Sequence, residues 1–216
     1  TGNDVKNFLR EINEEGDIDK HYIENLKDEK IPILRKNQNY AEAIKLKNKK
    51  NYKIFLDEKI EKVEKMEKII IALLNTKNSY LIYGIDLQTE KIVGLNMSRS
   101  ERDIFKINMN KNFSDILFQY PENFGYKFYD IDDSNNKEFD NLCILVIRIK
   151  KMKPNAMVFE KIEKKTYVVR NKILDRSDED KNMVQIRDIF ELDNKGIIEF
   201  GTERLKEYYE NKYNLK

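Results

Sequence analysis

The stretch that most constrains the fold is residues 69–86, which read IIIALLNTKNSYLIYGID. Its first part is apolar on nearly every side of a helix, and such a helix end is expected to be buried. Its second part, residues 79–86, is a continuous apolar run of strand length, which is typical of a strand covered on both faces. A buried helix end followed by a buried strand predicts a layered domain in which helices pack on a sheet.

The residues before this stretch predict a helix, a strand and a helical extension. Apolar residues recur at helical spacing over residues 55–75, with Glu–Lys pairs four residues apart on the polar side. Upstream, apolar and charged residues alternate from Tyr40 to Lys47, which predicts the opening strand over residues 40–47. Residues 1–36 are more polar and contain two short helical patterns. We expect them to pack onto the main domain as an N-terminal helical extension.

The residues after this stretch predict further strands and helices. Residues 90–95 follow a short polar turn and are expected to form a hairpin with the buried strand. A helix follows that Ser98 or Ser100 can cap, with Glu101 in its first turn. The later candidates are strands over 126–132, 142–150, 156–161 and 166–170, a hairpin loop over 132–141, and helices over 183–192 and 202–216.

Together these elements define an α/β (α+β) fold, with a mixed sheet flanked by helices in a single lobe. We expect three parts along the chain. Residues 1–36 would be the helical extension, and residues 37–192 the domain. Residues 193–216 would be a C-terminal helix that packs on the domain or on a partner. The tyrosines of this helix could alternatively stack on nucleic-acid bases; they are Tyr208, Tyr209 and Tyr213.

Composition excludes several classes of function. The chain has 41 Lys and Arg against 39 Asp and Glu, a net charge of +2, so any polyanion must be bound by local basic surfaces. The single cysteine, Cys143, excludes an internal disulfide and a cysteine-cluster zinc site, and the single histidine, His21, argues against a histidine-based triad. No apolar run approaches the roughly 18 residues of a spanning helix, and no signal peptide is visible. A cytoplasmic protein without a membrane segment is expected.

Two groups of basic residues could contact a polyanion. One follows the predicted opening strand and the other lies at the end of the strand over 142–150. In a lysine-rich chain such groups can also be no more than a solvated surface. If the two strands were neighbours, the groups would form one wall that neutralises phosphates. The members are Lys45, Lys47, Lys49, Lys50 and Lys53, and Arg148, Lys150, Lys151 and Lys153.

Residues 70–95, IIALLNTKNSYLIYGIDLQTEKIVGL, resemble the signature of the Schlafen AlbA-like domain, also called divergent AlbA. In that family a helix ends in a small-apolar-Asn-Thr segment, and two glycines, an apolar strand, Gly-apolar-Asp, a turn and apolar-apolar-Gly follow. Here Asn78 and Ser79 replace the two glycines. A later strand of the chain is similar to the family's aromatic-apolar-Arg strand, with Arg170 at the arginine position, and the resemblance covers about residues 38–190. The positions in register are Ala72, Asn75, Thr76, Leu81, Gly84, Asp86, Ile92, Val93 and Gly94.

The resemblance implies a role with RNA. Members of the family with ribonuclease activity cleave structured RNA, such as tRNA or small-RNA precursors, with a metal held by three carboxylates. Two are glutamates five residues apart, the second in an apolar-Glu-aromatic-Lys strand, and the third is the aspartate after the Gly-apolar pair. Clustered carboxylate oxygens suit Mg²⁺ or Mn²⁺, which activates water and stabilises the charged phosphate.

Mapped onto this chain, the family's pattern keeps one carboxylate, Asp86. Tyr40 and Lys45 stand at the two glutamate positions, and a lysine there would bring positive charge toward the metal. Glu42 is a nearby carboxylate, but alternation along a strand places it on the face opposite Lys45. Asp86 alone is alternatively a residue that caps a turn. The resemblance therefore implies an active site that has lost part of its ligand set.

We predict a Schlafen-fold subunit of an RNA-processing endoribonuclease complex that acts on tRNA or on small-RNA precursors, including piRNA precursors. The chain itself would be catalytically degenerate and would contribute RNA binding and assembly. Its partners would be RNA and other Schlafen-like chains, in a homo- or hetero-oligomer, because long Schlafen nucleases use two lobes to enclose RNA. No cofactor is expected on this chain alone, and Mg or Mn would serve an active assembly.

Two alternatives remain open from the sequence. The chain could be an active metal-dependent endoribonuclease that uses Asp86 with Glu42 or another carboxylate. It could also be a non-catalytic module that binds proteins.

Overall fold

A computed structural model of the chain describes residues 34–44, 52–120, 122–132, 141–160, 163–169 and 189–213, without the side chains of Asp115, Leu117, Phe118 and Gln119. The predicted N-terminal extension lies outside this part of the chain up to residue 33. The elements in chain order are α1 (Tyr40–Ala43), β1 (Lys53–Asp57), α2 (Val63–Thr76), β2 (Ser79–Tyr83), β3 (Leu95–Asn96), α3 (Arg99–Gln119), β4 (Phe124–Asp130), β5 (Leu142–Ile149), β6 (Tyr167–Val169), β7 (Ile189–Glu191) and α4 (Asn194–Tyr213).

The main sheet is mixed and is built around β5. β2 and β3 pair with β5 in antiparallel register, with Leu81 opposite Ile147 and Leu95 opposite Cys143. β4 is antiparallel to β5 along its other edge, and β1 is parallel to β2. A second, two-stranded sheet joins β6 and β7. The expected fold class, a mixed sheet flanked by helices, is confirmed.

Each face of the main sheet carries its own apolar core. On the face that we call the helix face, side chains such as Leu81 and Leu145 pack with α2 and α3. On the opposite face, the second face, Ile82 and Val146 pack with residues of the segment over 34–44. β2 is buried at every position, as a strand covered on both faces should be. The apolar end of α2 is buried from Ile69 to Asn75, also as predicted.

The predicted opening strand over 40–47 is wrong where the structure describes it. Residues 40–43 form α1, a single turn of helix, because the Asn39 side chain accepts a hydrogen bond from the Ala41 N–H at 2.9 Å. Tyr40 and Ala43 then face the second core. The alternation of apolar and charged residues therefore belongs to a capped helical turn here and not to a paired β-strand. Residues 45–51 lie outside the described part of the chain.

The predicted helix over 55–75 is wrong in its first third. Lys53–Asp57 is β1, in which Phe55 packs into the helix-face core and Leu56 into the second core. This two-sided burial beside β2 outweighs the helical spacing of Leu56 and Ile60. The helix itself begins at Val63.

Other boundaries also moved. The residues of the predicted helix over 183–192 that are described include β7, which pairs Phe190 with Val168. The predicted hairpin over 90–95 is reduced to a bridge between Ile85 and Ile92, and β3 pairs with β5 instead. The strand predicted over 156–161 does not form in its described residues, 156–160.

The closing helix begins eight residues before its predicted start, at Asn194 and not at 202. The reason is a cap at Asp193, whose carboxylate accepts a hydrogen bond from the Gly196 N–H at 2.7 Å. The cap of α3 was predicted correctly. Ser98 and Glu101 form a reciprocal capping box at its start.

Candidate functional site

Asp86 lies directly after β2 and closes a tight turn. Its Oδ1 accepts hydrogen bonds from the Gln88 N–H at 3.0 Å, the Thr89 N–H at 2.7 Å and the Thr89 hydroxyl at 2.8 Å. These donors favour the charged carboxylate, with the Thr89 N–H first, and they hold the pKa of Asp86 below its usual value. In this geometry Asp86 acts as the turn residue that its sequence position also allowed.

Two glycines bring the chain around this turn into close contact. Gly84 has a φ of +96° and Gly94 a φ of +82°, a backbone region that favours glycine. A Cβ on Gly84 would lie 3.2 Å from the Gly94 Cα, so a side chain there would force the two segments apart. The Gly94 N–H donates to the Gly84 carbonyl at 2.9 Å. The Gly-apolar-Asp and apolar-apolar-Gly segments are thus one backbone unit.

The segment over 37–40 packs against this unit. The Asn37 N–H donates to the Ile92 carbonyl at 2.8 Å, and the Tyr40 N–H donates to the Glu90 carbonyl at 3.1 Å. The Tyr40 side chain is buried in the second core, and burial, with the charge of Glu90, raises its pKa. Tyr40 is therefore a neutral core residue beside the turn. Glu42 is exposed on α1.

Asp57 is a carboxylate that the sequence reasoning missed. It is the last residue of β1, and its carbonyl accepts hydrogen bonds from the N–H groups of Gly84 and Ile85 at 2.8 and 3.1 Å. Because β1 and β2 are parallel, Asp57 and Asp86 both lie at the carboxyl ends of neighbouring strands. Burial, and more weakly the charges of Glu61 and Glu58, raise the pKa of Asp57 against the lowering effect of its backbone hydrogen bonds. Its position directly after the apolar residues Ile54, Phe55 and Leu56 is a sequence signal for it.

The described residues do not fit the three-carboxylate metal site that the resemblance implies. Among them, no three Asp, Glu, His or Cys side chains are grouped so that they could hold a metal ion. Tyr40 is a buried phenol, and Asp86 already accepts three hydrogen bonds on one oxygen. We therefore derive no metal-dependent step for these residues.

The opposite end of the sheet is basic, and Asn78 organises it. The Lys53 N–H donates to the Asn78 carbonyl at 3.0 Å, and the Lys151 N–H donates to the Asn78 Oδ1 at 2.8 Å. One residue before β2 thus joins the start of β1 to the segment after β5. Lys53, the described member of the first group, thus lies at the same sheet end as the second group, although β2 lies between β1 and β5. The strand predicted over 40–47 does not form in its described residues, so the condition that it neighbours the strand over 142–150 is not met there, and Lys53 reaches this sheet end on β1.

We call this surface the basic edge and define it as Lys53, Lys77, Lys150, Lys151 and Lys153. Lys150 and Lys153 are exposed, and Lys151 is half-buried, which lowers its pKa although Glu207 opposes the shift. Asn123 fixes the backbone here, because its side-chain amide donates to the carbonyls of Lys150 and Lys151 at 2.9 and 3.1 Å. Lys77 was not predicted. It ends α2, and the lysine after an Asn-Thr helix end was the signal for it.

Arg148 lies one strand position inside the basic edge, on the second face. Its strand neighbours are Tyr80 on β2 and Gly125 on β4. Arg148 and Lys150 were expected on one face of the same strand, but β5 ends at Ile149, and the Lys150 N–H donates to the Asn123 carbonyl at 2.7 Å. Four of the predicted lysines and one arginine lie outside the described residues, and the structure says nothing of them; they are Lys45, Lys47, Lys49, Lys50 and Arg170.

The C-terminal helix is fixed to the segment that carries the basic edge. Arg204 is 4% exposed, and its guanidinium donates to the carbonyls of Met152, Lys153 and Ala156 at 2.8, 2.9 and 3.2 Å. Arg204 is the buried residue among the described ones of this helix. The tyrosines of this helix are 43, 50 and 57% exposed, at Tyr208, Tyr209 and Tyr213, so they do not pack closely on the described part of the domain.

A buried amide holds the helix face to the second sheet. Asn75 at the end of α2 is fully buried, and its side chain donates to the Val158 carbonyl and the Thr166 hydroxyl at 3.1 and 2.9 Å. It also donates to the Tyr167 carbonyl and accepts from the Val158 N–H. The Asn-Thr ending of the helix is therefore a structural joint.

The mixed sheet, the paired glycines at the Asp86 turn and the buried Asn75 define the class of an AlbA-like domain. The model of the family described as Schlafen, AlbA_2 matches residues 46–184, more than half of the chain. The chain belongs to this Schlafen family. Comparison with curated proteins finds no match. Among the described helices, none is long and apolar enough to cross a membrane.

The matched range bears on the two lost glutamates. It begins at residue 46, after Tyr40 and Lys45. The strand that precedes α2 and lies beside β2 is β1 and not residues 40–47. β1 reads KIFLD and carries no glutamate in any register; its single carboxylate is Asp57 at the last position. Tyr40 and Lys45 thus lie outside the matched range, and Asp57 is the carboxylate that β1 places next to β2.

Proposed function

We propose that this Schlafen-family chain is an RNA-binding subunit of an RNA-processing endoribonuclease assembly and does not itself cleave RNA. Its substrate class would be tRNA or small-RNA precursors, such as piRNA precursors. The observation that carries the proposal is the convergence on Asn78, which brings Lys53 and Lys151 to one sheet end. A row of ammonium groups on a rigid sheet end can neutralise consecutive phosphates.

The charge balance of the basic edge supports this role. None of the ion pairs among the described residues involves Lys77, Lys150, Lys151 or Lys153. Within the described part of the chain, these ammonium groups therefore have no ion pair to break when they bind a phosphate, although Glu207 attracts Lys151. The net charge of +2 makes such a local surface the main source of attraction for RNA.

The carboxylates support the non-catalytic part of the proposal. β1 has no glutamate, Tyr40 is buried as a neutral phenol, and Asp86 caps a turn. A partner chain with a full carboxylate set would supply the chemistry, together with Mg²⁺ or Mn²⁺. This arrangement would make the chain a subunit that works in an oligomer with other Schlafen-like chains.

Electrophoretic mobility shift of tRNA across a salt series tests RNA binding. The triple variant Lys53→Ala/Lys150→Ala/Lys153→Ala should bind more weakly and reduce the slope of log affinity against log salt by about 2, roughly 0.7–0.9 for each phosphate that is no longer neutralised. The control is Lys106→Ala/Lys195→Ala/Lys206→Ala, which removes the same charge from helices. Equal weakening in both triple variants, or no binding of the unmodified chain at low salt, would refute the proposal and favour a protein-interaction module.

The alternative of an active nuclease has one observation in its favour, namely that Asp57 and Asp86 end two adjacent parallel strands. Incubation of the isolated chain with tRNA and Mn²⁺ separates the two functions. Our proposal predicts no cleavage. Metal-dependent cleavage that Asp86→Ala or Asp57→Asn abolishes would establish the enzyme instead.

A further inference from the structure

The Arg148 guanidinium is a half-buried cation without an acceptor in the described part of the chain. Its Nε is buried and has no hydrogen-bond partner there, and none of the ion pairs among the described residues involves it. A buried donor without an acceptor costs about 1–3 kcal/mol, and more when it is charged. An arginine cannot avoid this cost by losing its proton. The Nη groups are not among the buried unpaired atoms, so a ligand could reach the guanidinium through them.

Arg204 shows how the same chain treats an arginine that serves structure. Its guanidinium donates to three backbone carbonyls, of Met152, Lys153 and Ala156. Arg148 makes no such hydrogen bond within the described residues, although it sits on a regular strand with defined neighbours. The Nε of Arg204 is also buried and unpaired, so the contrast lies in these carbonyl hydrogen bonds, and it leaves the Nη groups of Arg148 available to a molecule from outside the sheet.

The surroundings of Arg148 select an anion. The strand residues that share the second face near it are apolar, aromatic or basic: Ile54, Leu56, Tyr80, Ile82, Gly125, Lys127, Tyr129 and Val146. None is a carboxylate. Asp130, the acidic residue at the end of β4, forms an ion pair with Arg102.

The residues beside Arg148 on neighbouring strands form a surface with aromatic rings on one side. Ile54, Tyr80, Arg148 and Gly125 are cross-strand neighbours in that order. On one side the rings of Tyr52 and Tyr80 lie 4.9 Å apart. On the other side Gly125 contributes no side chain beside the guanidinium. Lys127, diagonal to Arg148 across β4 and β5, adds a second cation within reach of a long side chain, and its ammonium now lies 5.0 Å from the Tyr129 ring.

We propose that Arg148 is the centre of a phosphate-binding site on the second face, flanked by Tyr52, Tyr80 and Lys127. The ligand class is a phosphate group, either the terminal monoester of an RNA or free orthophosphate. The two Nη nitrogens, which are not among the buried unpaired atoms, can donate to two phosphate oxygens, a pairing that suits the planar guanidinium. The site lies on the second face and is separate from the carboxylate turn at Asp86. It does not depend on the proposed RNA role, because orthophosphate alone would occupy it.

Thermal unfolding of the full chain in orthophosphate and in chloride of equal ionic strength tests the site. Orthophosphate should raise the melting temperature by about 2–4 °C, since a ligand that binds only the folded state stabilises it. Arg148→Met should lose this shift and should melt without phosphate at the same or a higher temperature than the unmodified chain. Lys65→Met, on the exposed side of α2, should keep the shift, which separates binding from the general effect of phosphate salts.

Two results would overturn the proposal: an equal phosphate shift in Arg148→Met, or no shift in the unmodified chain. If Arg148→Met does not fold, Arg148→Lys serves as the second variant. Lysine keeps the positive charge but lacks the planar pair of N–H donors. Arg148→Lys should therefore bind orthophosphate more weakly, by a factor of about ten or more.

A second pair of probes identifies the source of the phosphate and separates this site from the proposed function. Two RNAs of one sequence, with a 5′-phosphate or a 5′-hydroxyl, compete for the chain. A preference for the phosphorylated RNA that Arg148→Met abolishes assigns a terminal monoester, and an orthophosphate shift without that preference assigns the free anion. If RNA does not bind while the orthophosphate shift remains, the proposed function fails and the site stands. If RNA binds and orthophosphate does not raise the melting temperature, the phosphate site fails and the proposed function stands.

Discussion

Asn75 and Val158 form a reciprocal pair between the end of α2 and the segment after β5. The Asn75 amide donates to the Val158 carbonyl at 3.1 Å, and its Oδ1 accepts from the Val158 N–H at 2.8 Å. The two residues are far apart in the sequence, and both are buried. The segment over 156–160 was predicted to be a strand but pairs with none of the described strands. At Val158 the Asn75 side-chain amide makes the two hydrogen bonds that a neighbouring strand would otherwise make.

Replacing this amide should destabilise the whole domain. Asn75→Ala leaves the buried Val158 N–H without its acceptor and removes the amide donor to the Val158 carbonyl and the Thr166 hydroxyl, which remain bonded to each other. We expect a loss of about 2–4 kcal/mol in the free energy of unfolding. Urea unfolding followed by circular dichroism measures it. Asn155→Ala, at an exposed position two residues after Lys153, should change stability by less than about 0.5 kcal/mol. Similar effects of the two substitutions would show that the Asn75 hydrogen bonds are unimportant.

Arg204 should control the order of the C-terminal helix more than that of the sheet. Arg204→Met removes the donor to three backbone carbonyls, and we expect a loss of about 2–4 kcal/mol, concentrated in α4. Hydrogen exchange should show faster exchange in α4 and in residues 152–156, and little change in β5. Lys206→Met, whose side chain is 74% exposed, is the control. Uniform protection of α4 in Arg204→Met would contradict this assignment.

The turn at Asp86 predicts a pH dependence with a defined sign. Hydrogen bonds from Thr89, first its N–H and then its hydroxyl, lower the pKa of Asp86 from 3.8. A carboxyl whose pKa is lowered by folding stabilises the folded state above its unfolded pKa, and this contribution disappears as the pH falls through the folded pKa. Thr89→Val removes the hydroxyl donor, so the pKa of Asp86 should rise toward 3.8.

The measurement has two parts. A carbon-13 titration of the Asp86 carboxyl gives its pKa in both proteins. Urea unfolding at pH 7 and at progressively lower pH gives their difference in stability, which should be present at pH 7 and should shrink below about pH 3.8. Thr202→Val removes a hydroxyl that donates to the Ile198 carbonyl, without a carboxylate, and its effect should not change with pH in this range. An unchanged Asp86 pKa in Thr89→Val would contradict the hydrogen-bond assignment.

Local patterns predicted the centre of the fold well because burial there follows from the sequence. The apolar run over 79–83 became a strand covered on both faces, and Ser98 with Glu101 formed the predicted capping box. The predicted boundaries of helices and strands were wrong where tertiary contacts outweigh the spacing of apolar residues along the sequence. β1 has helical spacing with the residues after it, but its place beside β2 buries Phe55 and Leu56 on opposite faces. β7 became a strand because β6 offers an edge.

The candidate site was less accessible from the sequence. The two basic groups were visible, but the residue that joins Lys53 to Lys151 is an asparagine with no charge. Asp57 was read as part of a helix, so its place beside Asp86 could not be seen. Whether Arg148 has a hydrogen-bond acceptor depends on which side chains pack around it in three dimensions. The spacing of residues along the sequence does not contain this information.

The central position of β5 has a consequence for how the chain is made. Every ladder of the main sheet except that between β1 and β2 includes β5, and its last residue, Ile149, pairs with both Ser79 and Phe124. During synthesis from the N-terminus, β2 and β4 are complete before any residue of β5 exists. Until then β2, buried at all five positions in the folded protein, has one unpaired apolar edge. We expect the nascent chain to need protection from aggregation over this interval, and translation of residues 142–149 to end it.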